Sequence, residues 1–288
     1  MCMRNKRLIV LLSVVLALIV IIVATGATFL VRNVEAYNYY GYTDGGLDYD
    51  SYVIEAADIK RNSSIFFVDE EEVKNKVERA FPNVGVINVE RKFPDRVSVN
   101  YVVYERMFQY ENDGRYYRCY SSCRIGESSA EAAGDVFNVK TNNPTATAVG
   151  AYFQSAGSYD RKIIETYISV MRNKGLIDRQ ISSHVRFIDL TREGYVYIRM
   201  SSGCSIEIHG SVDDFAKFLE RGFDIFADTK AEINKISGLI RVWEYKGGDG
   251  DMRSSYTAVG AEIGKREDGS IKYYSDELYY LENYGENA

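Results

Sequence analysis

The sequence predicts an α+β protein. It places a single transmembrane helix first, then a small domain with a three-stranded sheet and two helices, then a mixed antiparallel β-domain with packed helices. Three observations predict this. Leu8–Val31 is an uncharged run of 24 residues. Between residues 30 and 103 the apolar period switches between two and 3.6, in the order strand, helix, helix, strand, strand. From Arg106 onward short strands dominate, interrupted by two amphipathic helices.

The apolar run decides the topology. Ser13, Thr25 and Thr28 are its only hydroxyl residues, and as a helix it measures about 36 Å, enough to cross a bilayer core. Arg4, Lys6 and Arg7 precede it without an acid, which places residues 1–7 in the cytoplasm and everything after the span outside. A cleavable signal peptide is the rival, with Thr25-Gly26-Ala27 as its small-residue site. The run continues through Phe29-Leu30-Val31, longer than a signal core, so the expectation is an uncleaved anchor.

Residues 30–37 read as a strand and 38–47 as a Tyr, Gly and Asp loop. Asp50-Ser51 starts a short helix through Val53, Ala56 and Ala57, and Ser63-Ser64 makes a turn before Ile65–Val68. Asp69 with Glu72 is a capping-box pattern, and Val73, Val77 and Ala80 share the face of a helix that ends before Pro82. Two alternating strands follow, carrying Val84, Val86, Ile87 and Val89, then Val97, Val99, Tyr101 and Val103. Phe93-Pro94-Asp95 turns between them.

In the β-domain, taken as residues 106–246, strands are expected at Met107–Tyr110, Arg115–Tyr120, Val136–Lys140, His184–Leu190, Gly194–Met200, Ser205–His209 and Gly238–Tyr245. Residues 126–134 and 141–151 read as connectors. Helices are expected at Tyr159–Lys174 and after Ser211, the latter with Phe215, Phe218, Leu219, Phe223 and Phe226 on its apolar face. Residues 247–288 hold nine acids, four bases and Gly-Asp clusters, and read as a flexible acidic tail. Its late tyrosines offer the alternative of docking back.

The balance of 35 basic and 41 acidic residues argues against a nucleic-acid partner, and two histidines are too few for most His-based metal or catalytic sites. Ser183 and His184, read as strand neighbours, point to opposite faces and make no catalytic pair. Asp44, Asp48 and Asp50 lack calcium-loop spacing, and Glu70-Glu71-Glu72 suits a helix start. No catalytic, metal or cofactor set is expected, and no small-molecule substrate. Cys2 is cytoplasmic and Cys204 packs as an apolar residue. Cys119 and Cys123 reach disulfide distance only across a tight Tyr120-Ser121-Ser122 turn.

This order resembles the FtsQ/DivIB family of bacterial cell-division proteins. The resemblance is carried by Ser51–Ile59, Ser64–Asp69, Phe81-Pro82-Asn83-Val84, Val89–Pro94 and Glu105-Arg106. In the β-domain it is carried by Ile208-His209-Gly210-Ser211 and Ser237–Val242. Met107 stands where the family has Pro, and Cys119–Cys123 where its hairpin has Asp and Gly. The resemblance implies an FtsQ-type POTRA domain over 32–105 and a non-enzymatic scaffold of the divisome at the septum. It also implies docking to FtsB/DivIC-like and FtsL-like single-pass proteins through the last strand. Ile240, Val242, Trp243 and Tyr245 are the contact residues expected there, with the aromatics as anchors. Trp243 covering the preceding helix is the plain alternative. A POTRA-bearing transport or secretion accessory is the alternative function.

Overall fold

The structure is a computed structural model that describes residues 12–18, 20, 28–41, 46–157, 159–230, 237–244 and 252–285. The chain divides into two compact units, Met1–Tyr104 and Glu105–Ala288.

In the first unit β1 (Asn33–Asn38), α1 (Asp50–Ala57), α2 (Glu70–Ala80), β2 (Val84–Lys92) and β3 (Arg96–Val103) build a sheet of order β1-β3-β2, with β1 parallel and β2 antiparallel to β3. Asp69 caps α2 by accepting from the Glu72 N–H at 3.1 Å. Val73 and Val77 of α2 and Val53 and Ala57 of α1 pack on Val97, Val99 and Tyr101. Tyr101 Oη donates to Asp50 at 2.7 Å, tying β3 to the start of α1. The buried Glu78 accepts from Val86 N–H at 3.0 Å, beside the bulge between Val86 and Asn88, so it stays satisfied.

No helix among the described residues is long and apolar enough to cross a membrane. Residues 12–18 and 20 are helical and exposed, while 8–11, 19 and 21–27 of the expected anchor lie outside the described residues. The end of that run departs from the expectation. Leu30 bridges Ser64 and Val31 is fully buried in the first core, so these two residues belong to the domain rather than to a span. Hydropathy cannot separate membrane-facing from core-facing residues where the two runs abut.

The second unit opens with β4 (Arg106–Asn112), β5 (Arg115–Tyr120), β6 (Ile125–Ser129) and β7 (Phe137–Lys140), then α3 (Asp160–Asn173) and α4 (Asp178–His184). Next come β8 (Val185–Asp189), β9 (Tyr195–Met200), β10 (Cys204–His209), α5 (Phe215–Lys230), β11 (Gly238–Glu244) and β12 (Met252–Ala258). The hairpin β13 (Glu262–Lys265) and β14 (Ile271–Tyr273) and the helix α6 (Asp276–Tyr284) complete it. Nine strands form one mixed sheet in the order β12-β11-β10-β9-β8-β7-β4-β5-β6. The pairs β10–β11, β4–β7 and β7–β8 are parallel.

One face of this sheet packs on α3 and α5 through Ile164, Tyr167, Phe218, Leu219 and Phe223. On the other face Tyr197 and Leu239 meet Tyr274, Tyr279 and Tyr284 of the C-terminal segment. The segment expected to be a flexible tail is therefore largely built into the fold, as an edge strand, a hairpin and a docked helix. Ser182 to His184 sit at the end of α4 rather than on a strand. Ser182 and Ser183 hydroxyls donate to Arg179 O at 3.0 Å and Gln180 O at 3.1 Å, the backbone bonding usual for serine in a helix. β6 lies in what reads as a connector, because its Gly126-Glu127-Ser128-Ser129 has the polarity of an exposed edge strand.

Candidate functional site

The expected docking strand, β11, is not at the sheet edge. It pairs in parallel with β10 and antiparallel with β12, from Gly238↔Ala258 to Glu244↔Met252. β12 is the last strand on that side. β6 is the last strand at the opposite end.

Alternation along β11 sorts the expected contact residues. Ile240 and Val242 are 0% and 1% exposed and face α5, where Gly222 approaches Val242. They are core residues and cannot meet a partner. Trp243 projects to the opposite face with Arg241, half-buried, so it does not cover α5. Tyr245 lies outside the described residues. Trp243 borders an open cleft of ≈ 400 Å³ lined also by Arg192, Tyr195, Glu207, His209 and Arg241. His209 stacks on Tyr195 at 4.2 Å between ring centroids, and the Arg192 guanidinium lies 3.7 Å from the same Tyr195 ring. The cleft is thus lined by aromatic rings and by two arginines, one of them, Arg241, paired with Glu207.

The C-terminal helix fixes that surface. Glu207 is 5% exposed and would be a costly lone charge. Its Oε2 accepts from Tyr279 Oη at 2.7 Å and Tyr284 Oη at 2.8 Å, and its Oε1 lies 3.5 Å from Arg241 Nε. Asp189, fully buried, accepts from Tyr280 Oη and from Thr191 Oγ1 at 2.6 Å. Arg199 pairs with Asp276 at 2.8 Å. Burial, with the Glu207 or Asp189 carboxylate beside it, holds the phenols of Tyr279, Tyr280 and Tyr284 above the ordinary tyrosine range. For Tyr197 burial raises it to about 12.

Two further expectations concern chemistry. Cys119 and Cys123 are buried free thiols. The tight turn exists, with Cys123 N–H donating to Tyr120 O at 2.8 Å. The hairpin register, however, sets Ile125 rather than Cys123 opposite Cys119. Burial pushes both thiols above the usual range. Among the described residues no group of His, Cys, Asp and Glu is arranged to hold a metal ion.

Gly210, within the segment that carries the β-domain resemblance, has a packing role. A Cβ there would lie 2.0 Å from the ring of Phe218, so glycine lets α5 close onto the end of β10.

The first unit has the three-stranded sheet and two helices expected of a POTRA domain. Residues 50–103, from α1 to the end of β3, match the POTRA domain, FtsQ-type, family model. Within this chain the match identifies that segment as an FtsQ-type POTRA domain. No curated protein matches the sequence. A solved structure it matches is the major extracytoplasmic domain of the trans isomer of the bacterial cell division protein DivIB from Geobacillus stearothermophilus. The match has 12% identity and a TM-score of 0.27, and it covers 45% of this chain and 97% of that one.

Proposed function

We propose that this protein is a non-enzymatic, single-pass scaffold of the bacterial divisome, with its N-terminus in the cytoplasm and both units outside. The FtsQ-type POTRA match over residues 50–103 carries the reading. The exposed apolar helix at residues 12–18 supports the anchor. The partners are FtsB/DivIC-like and FtsL-like single-pass proteins, docked on the β-domain, and the site of action is the division septum.

Docking uses β12, the last strand on its side of the sheet. An extended partner segment adds a strand there, with backbone hydrogen bonds for affinity and the cleft at Trp243, Arg192 and Arg241 for side-chain selection. Photocrosslinking tests this in cells. A photoreactive residue at Arg253 or Ser255 of β12 is expected to capture a small single-pass division protein, and one at Ile240 is expected to capture none. Equal capture from β6, at the opposite edge, would overturn the assignment of β12.

A further inference from the structure

The first unit carries an apolar feature that the docking reading leaves unused. Phe29, Phe66 and Phe93 form a triangle with ring centroids 5.4, 5.5 and 5.7 Å apart. They come from three separate segments: the residue following Thr28, the single turn Ile65–Phe67, and the turn between β2 and β3. Ile65 is fully buried and anchors its turn, so the next two side chains face outward. Phe66 is 55% exposed, Phe93 56% and Phe67 87%. Isolated exposed apolar residues need no explanation, but a contiguous aromatic cluster does.

The cluster is held rigidly. Ile65 N–H donates to Phe29 O and Val31 N–H to Ser63 O, both at 2.9 Å. Asn62 N–H donates to Val31 O and Arg32 N–H to Asp95 O, both at 2.8 Å. The strand leaving the apolar run is thus pinned between the turn at 62–65 and the turn at 93–95. Exposed Arg32, Arg61, Arg91 and Lys92 stand within a few residues of the three rings in sequence, and Arg91 Nη2 donates to Val68 O at 2.8 Å. Asp69, Glu90 and Asp95 are the acids nearest in sequence; Asp69 is engaged as the cap of α2, and Glu90 lies 3.8 Å from Lys92 Nζ, which leaves Arg32, Arg61 and Arg91 as the unbalanced charge.

We propose that this phenylalanine face lies in the headgroup–acyl boundary of the membrane, seating the first unit directly on the bilayer. The occupant follows from continuity. Phe29 lies in the last turn's length of the apolar run, whose final residues Leu30 and Val31 are already bonded into the domain, so little chain separates the cluster from a span ending near residue 28. Aromatic rings flanked by arginine and lysine match the composition of surfaces that bury a few ångströms into an anionic interface. The inference rests on the anchor reading.

The test uses the full chain reconstituted into vesicles of phosphatidylcholine and phosphatidylglycerol, with and without lipids brominated along the acyl chain. Phe66→Trp puts an indole in the exposed cluster itself, against Phe29 and Phe93, and the parent chain, with only Trp243, gives the background. Flotation after an alkaline wash reports the anchor separately. The expected result is that both chains float and that brominated lipid quenches more than half of the emission the substitution adds over the parent chain. Flotation with no quenching of the added indole overturns the proposal and points to a protein covering the face. Loss of flotation in the parent chain overturns the anchor, and the proposal with it.

Discussion

The phenols of Tyr279 and Tyr284 are expected to hold the C-terminal helix on the sheet through one carboxylate. Replacing both with phenylalanine keeps the rings and removes two hydrogen bonds to the buried Glu207, at 2.7 and 2.8 Å. A hydrogen bond to a charged group is worth about 1.5–3 kcal/mol. The double substitution also leaves Glu207 with Arg241 as its remaining charged neighbour, at 3.5 Å. The expected loss is about 3–5 kcal/mol for the double variant. The single variants should sum to less than that, since each leaves one phenol on the carboxylate. Hydrogen exchange with peptide resolution, alongside urea unfolding, separates local from global effects. Protection of residues 276–284 should be lost while β8 to β10 remain protected. A double variant within about 0.5 kcal/mol of the parent, with its helix still protected, would refute the reasoning.

Alkali gives an independent test of the same latch. The phenols of Tyr197, Tyr274, Tyr279, Tyr280 and Tyr284 are raised in the folded state, by burial first. The unfolded chain therefore releases these protons first. Stability is full below pH about 10 and is lost as pH rises further, by up to about 1.4 kcal/mol per pH unit for each deeply buried phenol. Phenolate absorbance should appear in a cooperative step above pH 10 together with helix release; a gradual titration with the helix retained would contradict this. Gly210→Ala should lower stability by about 1–3 kcal/mol in thermal unfolding, because the buried Phe218 ring must move off a Cβ at 2.0 Å; an unchanged Tm would show that α5 yields freely. Cys119, Cys123 and Cys204 should resist a thiol reagent in the native protein and react together on unfolding, since all three are buried with raised pKa values. Fast reaction of the native protein at Cys119 or Cys123 would argue against that core.

The first unit was legible because its signals are local. Asp69 and Glu72 mark a helix start, Val73 and Val77 its inner face, and Pro94 the turn between alternating strands. None of these needs a distant partner to be read. The C-terminal segment was not legible for the opposite reason. Its glycines, acids and tyrosines look solvated until Glu207, Asp189 and Arg199 are known to face the same side of the sheet. A buried carboxylate that needs two phenols is a tertiary fact. The same omission misplaced the docking edge: without β12, β11 becomes the last strand, and its apolar Ile240 and Val242 pass for a contact surface instead of the floor under α5. A partial signal was present in the tyrosines spaced at 279, 280 and 284, on one side of a short helix.

Live imaging of a full-length fluorescent fusion in the source bacterium tests the proposed membrane-anchored division scaffold most directly. A band at the division site that forms before constriction ends is expected. Uniform envelope fluorescence from a functional fusion would contradict it.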